Sequence, residues 1–180
     1  KPIPTLFSID ACEKVIYMNT FSKSLSPTIR ISYMVLPVHL ANDFYRTMSF
    51  YSCTVSNFEQ YTLAMFISRG YFEKHINRMR LYYIRQRKRI IDILENSTLG
   101  NKCEILEYDS GLHFLIKIDT SLTDEEMEKK LKEKGIKMKA LSEYYVTDEN
   151  ERTHLFIINY SNLEEEKVKQ AAELIGQILI

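Results

Sequence analysis

The densest chemistry in the sequence lies in one run, Asn19-Thr20-Phe21-Ser22-Lys23-Ser24-Leu25-Ser26-Pro27-Thr28-Ile29-Arg30. Small hydroxyl side chains surround a single lysine, and a single arginine closes the run. Hydroxyls and backbone N–H groups donate to an oxyanion, and a guanidinium adds a planar, bidentate, charge-assisted grip, so this composition suits a ligand of the phosphate type. In that reading Arg30 grips and Lys23 is the group able to react. A hydroxyl-rich loop with one lysine also fits an ordinary solvated surface loop, and spacing by itself leaves both readings open.

Other reactive residue types are scattered. Cys12, Cys53 and Cys103 are widely spaced and odd in number, which fits neither a zinc ligand set nor a disulfide framework and suggests a reducing, cytoplasmic setting. His75 and His113 belong to no i,i+4 or Cys-paired constellation, so no metal site is expected. Arg69, Lys74, Arg78, Arg80, Arg85, Arg87, Lys88 and Arg89 are answered by Glu73 alone over the same stretch. With no recognition motif beside it, this run reads as a solvated helix face whose stems cover apolar surface. Among the tyrosines, Tyr33 stands one strand beyond the hydroxyl loop.

The elements that must position the loop follow from periodicity. Val15 to Met18 and Ile31 to Leu36 read as two short strands, the second stopped by Pro37. A helix is expected from His39 to about Ser52, and another, capped by Ser56 or Asn57, from there to Arg69 with Gly70 as its stop. Tyr71 to Asn96 carries apolar residues at helical spacing with neither Gly nor Pro inside, which predicts one long helix. After Gly100 the pattern changes. Cys103 to Tyr108 and Leu112 to Ile118 flank Asp109-Ser110-Gly111 as a hairpin, and Thr123 with Glu126 forms a capping box. The helix so capped carries Glu125/Lys129, Glu126/Lys130 and Glu128/Lys132 at i,i+4 and ends at Gly135. Strands at Ile136 to Leu141 and Leu155 to Tyr160 and a last helix capped by Asn162, with Val168, Ala171, Ala172, Ile175 and Leu179 as its buried stripe, complete an α+β unit.

The chain has 180 residues, is 45% apolar and 27% charged, and carries 24 basic and 24 acidic side chains. This is an ordinary globular composition with no net field to attract nucleic acid or an anionic membrane, and no apolar run is long enough to span one. The chain starts without Met in a Pro-flanked segment, Lys1-Pro2-Ile3-Pro4, and reads as a fragment.

The stretch Val15-Ile16-Tyr17-Met18-Asn19-Thr20-Phe21-Ser22-Lys23-Ser24-Leu25-Ser26-Pro27, with Arg30 seven positions after the lysine, resembles the lysine motif of fold-type I pyridoxal-phosphate aminotransferases. Gly70-Tyr71-Phe72-Glu73-Lys74-His75-Ile76-Asn77-Arg78-Met79-Arg80, followed by Tyr83 and Arg87, resembles the long-helix start in the aminotransferase-like domain of GntR-type transcriptional regulators, the MocR group. Ser110-Gly111-Leu112-His113 and Asn159-Tyr160-Ser161-Asn162-Leu163 are similar to that group's small domain.

The resemblance implies an α/β fold, the C-terminal part of a fold-type I transferase. Residues 1–69 would be the trailing part of the cofactor-binding large domain, 70–99 a long linking helix, and 100–180 a small α+β domain. It implies that Lys23 holds pyridoxal 5'-phosphate as a Schiff base, as a partly desolvated amine among hydroxyls, that Thr20 and Ser22 stand in the phosphate cup, and that Arg30 binds the phosphate. Thr28 and Ser32 stand where the motif commonly has Gly, and Ile157 where free-standing enzymes usually place an Arg for the substrate carboxylate. The carboxylate that pairs with the ring nitrogen should lie a few tens of residues before the lysine, and Asp10 and Glu13 are too close to it. The implied function is the effector domain of a MocR-type regulator, dimeric, responsive to an amine or amino acid, and coupled to DNA through an N-terminal module not in this chain. The alternative is the C-terminal half of a free-standing aminotransferase. The chain alone is expected to be catalytically silent, and to self-associate through its exposed strands.

Overall fold

The computed structural model describes residues 4–109, 111–146 and 154–179. The expected extended start at Lys1-Pro2-Ile3 and the turn residue Ser110 lie outside the described residues. The chain divides into two compact units, residues 1–79 and 80–180.

The first unit opens with the one-turn helix α1 (Leu6–Ile9), followed by β1 (Tyr17–Thr20) and β2 (Ser32–Val35), antiparallel with Tyr17 opposite Val35 and Thr20 opposite Ser32. β1 starts two residues later than the alternation at Val15 predicts. The Asp10 carboxylate accepts the backbone N–H groups of Cys12, Lys14 and Val15 at 2.9, 2.6 and 2.7 Å, which wraps the chain around one side chain before it can extend. Those bonds hold the Asp10 carboxyl below its usual value.

Pro37 starts α2 (Val38–Met48), which stops short of the expected Ser52 where Tyr51 N–H turns back to Met48 O. α3 (Asn57–Ser68) is capped as expected: Ser56 Oγ accepts Glu59 N–H and donates to the Glu59 carboxylate. Gly70, at φ +72°, adopts the left-handed geometry that ends it. α4 (Tyr71–Glu95) follows at once, a 25-residue helix of roughly 37 Å at 1.5 Å per residue.

The second unit is a four-stranded antiparallel sheet in the order β3-β4-β6-β5, formed by β3 (Cys103–Leu106), β4 (His113–Ile118), β5 (Lys139–Ala140) and β6 (Leu155–Asn159). α5 (Asp124–Glu133) and α6 (Glu165–Ile178) complete it. Phe114, Ile116 and Ile118 alternate into the core with Phe156 of β6, against Ile90 and Leu94 of α4 and Val168, Ala172 and Ile175 of α6. Tyr160 is buried and its hydroxyl donates to Gly111 O at 2.6 Å, which pins the β3–β4 connection. Gly176 lets α6 approach Thr98, since a Cβ there would overlap the Thr98 hydroxyl.

Three local expectations need correction. Asn162 does not cap α6: Glu164 holds the N-cap position without a side-chain bond, and Asn159 instead serves the Ser161 N–H and hydroxyl. The strand expected over Ile136 to Leu141 shrinks to Lys139–Ala140, because Ile136 N–H closes the end of α5 onto Leu131 O and the Ala140 N–H is taken by Glu128. Glu128 therefore turns to the Ala140 backbone rather than to the expected Lys132, and burial pushes its carboxyl above the ordinary value. The Thr123/Glu126 capping box forms as expected.

Candidate functional site

The site residues occupy the loop between β1 and β2, residues 21–31. Its mouth is set by the ladder, which continues one step past the strands as Phe21 N–H donates to Ile31 O at 2.9 Å. Ser24 and Leu25 N–H groups then turn back to Phe21 O, and Ile29 N–H to Ser26 O, so the loop is two linked turns with Pro27 between them.

Because side chains alternate across an extended chain, the hairpin has two chemically distinct faces. On one, Tyr17, Asn19 and Phe21 meet Tyr33, with ring centroids 6.1 Å apart for Tyr17 and Tyr33 and 5.2 Å for Phe21 and Tyr33. Phe7 extends this aromatic ladder at one end and Phe72, on the first turn of α4, at the other. Asn19 Nδ2 donates to Tyr17 OH at 2.6 Å, and burial together with the Tyr17 hydroxyl pushes the Tyr33 phenol up. Tyr33 thus supports the loop from behind. A groove of about 210 Å³ between the loop and α3, lined by Leu25, Ile29, Ile31, Phe58, Leu63 and Phe66, belongs to the same apolar side.

The opposite face carries the polar candidates. Thr20 Oγ1 and Ser22 Oγ are 3.2 Å apart, so the structure brings these two hydroxyls together. Thr20 Oγ1 also lies 3.1 Å from Ile31 O, while Ser22 Oγ donates to Ile29 O at 2.6 Å. Lys23 follows in the turn, and in this chain its side chain is exposed rather than partly desolvated, since the small residues on either side cover little surface. Arg30 is exposed on the returning limb, and among the described residues neither Lys23 nor Arg30 takes part in an ion pair. Two adjacent hydroxyls, an exposed amine and an exposed guanidinium thus lie on one loop, residue types suited to a small anion and to amine chemistry.

The remaining candidates are used locally. Within the basic run, Arg87 donates to Tyr108 O and Arg89 pairs with Glu165 at 3.1 Å. Among the described residues no group of His, Cys, Asp or Glu could hold a metal ion, and no helix is long and apolar enough to cross a membrane. Two features escaped the sequence reading. The aromatic ladder was legible in principle, since Tyr17, Asn19 and Phe21 share a period of two. The buried carboxylate of Asp124, which accepts from Ser142 Oγ at 2.7 Å and His154 N–H at 3.0 Å, left no such trace.

Comparison with known proteins places these features in context. The family model for aminotransferase class I and II matches residues 1–175. An uncharacterized HTH-type transcriptional regulator of Bacillus subtilis, YdeL, is 40% identical over 81% of this chain and 31% of its own length. The probable rhizopine catabolism regulatory protein MocR of Rhizobium meliloti is 34% identical over 81% of this chain and 29% of its own. The chain thus spans about a third of the length of the curated relatives it matches. Among solved structures, a Pyrococcus horikoshii kynurenine aminotransferase crystallised with PMP superposes with a TM-score of 0.75 at 22% identity, over 96% of this chain and 42% of that one. The multiple substrate aminotransferase of Thermococcus profundus gives 0.77 at 21% identity, over 99% and 44%.

Proposed function

Because the chain belongs to the aminotransferase class I and II family, we propose that it is part of the pyridoxal-phosphate-binding, aminotransferase-like effector domain of a MocR-type transcriptional regulator. The observation that carries this reading is the division of its likenesses. The relatives at 40% and 34% identity are regulators, whereas the enzymes share the fold at 22% and 21%.

The residues on the polar face fit the cofactor. Thr20 and Ser22 present adjacent hydroxyls for phosphate oxygens, Arg30 supplies the planar fork, and Lys23 supplies the amine that condenses with an aldehyde, losing water. When bound, pyridoxal phosphate supplies that aldehyde and an electron-withdrawing ring. The aromatic ladder behind the loop holds the hydroxyls in place. β6 carries Ile157 between Leu115 and Lys139, and an apolar side chain there provides no charge for an amino-acid carboxylate, which supports sensing over turnover.

In this reading residues 1–69 trail the large domain, 70–99 link, and 100–180 form the small domain. The working protein is a cytoplasmic homodimer, an amine or amino acid is its effector, and DNA is held by a separate module. The second reading, the C-terminal half of a free-standing aminotransferase, is supported by the family model and by the fold of the solved neighbours.

The test uses the complete gene product. Borohydride reduction with pyridoxal phosphate followed by peptide mapping should label Lys23, and label on another lysine overturns the site. DNA retention should change with pyridoxal phosphate, while single-turnover assays with a panel of amino acids stay silent. Cofactor-independent DNA behaviour with rapid amino transfer would favour the enzyme.

A further inference from the structure

The geometry points to Ser32 as a fourth donor of the anion site, a hydroxyl that grips the phosphate group of the ligand alongside Thr20, Ser22 and Arg30. This rests on the reading of the loop as a phosphate-ester site.

Ser32 is directly opposite Thr20 in the β1–β2 ladder. Opposed residues project to the same face, with Cβ atoms about 4.5–5.5 Å apart. Along the returning limb, Arg30 is exposed, Ile31 buried and Ser32 exposed, the alternation of an extended chain whose successive side chains take opposite sides. Arg30 and Ser32 therefore share a face, and the ladder makes it the face of Thr20 and Ser22. Ile31, between them, points to the apolar groove.

Proton bookkeeping separates Ser32 from its neighbours. A hydroxyl has one proton to donate. Ser22 spends its proton on Ile29 O, and Thr20 stands within reach of Ile31 O, so both turn lone pairs outward and must release a carbonyl before they can serve an anion. Among the described residues the Ser32 side chain has no hydrogen-bond partner, and its proton is free to turn to an incoming oxygen. A phosphate monoester presents three strongly accepting oxygens, more than one guanidinium and two committed hydroxyls satisfy. Ser32 adds a donor at no internal cost, on a strand rather than on the loop tip, where pairing with β1 holds its backbone.

The experiment titrates the complete gene product with pyridoxal 5'-phosphate and, separately, with pyridoxal, which lacks the phosphate. Ser32→Ala is expected to weaken pyridoxal phosphate about tenfold, as for a lost hydrogen bond to a charged acceptor, and to leave pyridoxal unchanged. Ser32→Thr, which keeps the hydroxyl on a side chain suited to a strand, should stay near the parent protein. Arg30→Ala reports on the site reading independently. If Arg30→Ala weakens pyridoxal phosphate and Ser32→Ala does not, the role of Ser32 is overturned and the site stands. If Ser32→Ala weakens both ligands equally, its effect is structural and the inference fails. If Arg30→Ala changes neither ligand, the site reading itself falls and takes this inference with it.

Discussion

The two units build regular structure by different means. In residues 80–180, fifteen buried residues form one continuous cluster, including Phe114, Phe156 and Ile90 at full burial. In the first unit Ile31 is the one large apolar side chain that is buried among the described residues, while Phe58 is 80% exposed, Tyr61 74% and Phe50 74%. Yet the first unit has capped helices and a registered hairpin. Its elements are written by local devices: the Asp10 carboxylate on three backbone N–H groups, Pro37 at the head of α2, Ser56 at α3 and Gly70 after it. Local hydrogen bonding is enough to draw an element; burying it takes facing surface. α3 carries apolar residues on several sides, and it leaves Phe58, Tyr61, Met65 and Ile67 on the surface of this chain.

The largest expected difference between the units is in amide exchange. Backbone amides of Phe114–Ile118 and Leu155–Asn159 should open only with the whole second unit, and those of Tyr17–Thr20 and Ser32–Val35 should exchange roughly a hundredfold faster or more. Equal protection in both hairpins would show that the first unit is held as firmly as the second.

Core substitutions should divide the same way. Phe156→Ala removes a ring with no exposure and should cost about 3–5 kcal/mol in urea unfolding of this chain. Phe58→Ala, on the exposed face of α3, should stay within about 0.5 kcal/mol. A comparable loss at Phe58 would mean that α3 is held by a packed surface.

Capping offers a smaller contrast inside the second unit. Thr123→Ala breaks both bonds of the box at α5 and should cost about 1 kcal/mol. Asn162→Ala, at the residue expected to cap α6, should leave thermal stability unchanged, and a loss equal to that of Thr123→Ala would restore the sequence reading.

The smallest effect lies in acid titration, where the units carry opposite signs. The Glu128 carboxyl is raised above its ordinary value of 4.5, first by burial, so the stability linked to its protonated form is present below that pH and is lost as pH rises through the folded value. Glu128→Gln keeps an acceptor for Ala140 N–H and should flatten the slope of second-unit stability between pH 4.5 and neutrality. The Asp10 carboxyl is lowered from 3.8 by its backbone N–H partners, so its contribution is present above that pH and is lost as pH falls through the folded value. Asp10→Asn should remove this dependence from the first hairpin alone, as followed by exchange at Tyr17–Thr20.

Much of the fold was legible because its signals are local. Ser56 and Thr123 cap what they precede, Gly70 ends a helix, and the alternation of β4 survives intact as His113, Phe114, Leu115, Ile116, Lys117 and Ile118. The hydroxyl loop was legible as well, down to the proximity of Thr20 and Ser22. Illegible were features that depend on a distant partner. β5 is short because Glu128, twelve residues before Ala140, takes its N–H, and Asn162 lost the cap of α6 because the helix begins two residues later at Glu164 and Glu165. Lys23 was read as partly desolvated and is exposed in this chain, since exposure is a property of what lies across from a residue.

By itself the sequence determined the residue types available for anion and amine chemistry, the order of helices and strands, and the motif from Val15 to Arg30 on which the family likeness rests. Backbone preference, capping and periodicity act over a few residues, and a linear reading contains them. Tertiary structure alone decided that Ser32 stands opposite Thr20, that Tyr33 and Phe21 brace the loop from behind, and that Asp124 ties Ser142 to His154. Each of these is a contact between segments brought together by strand register or burial, and register is fixed only when the chain closes on itself, because a shift of one residue sends every side chain of a strand to the other face.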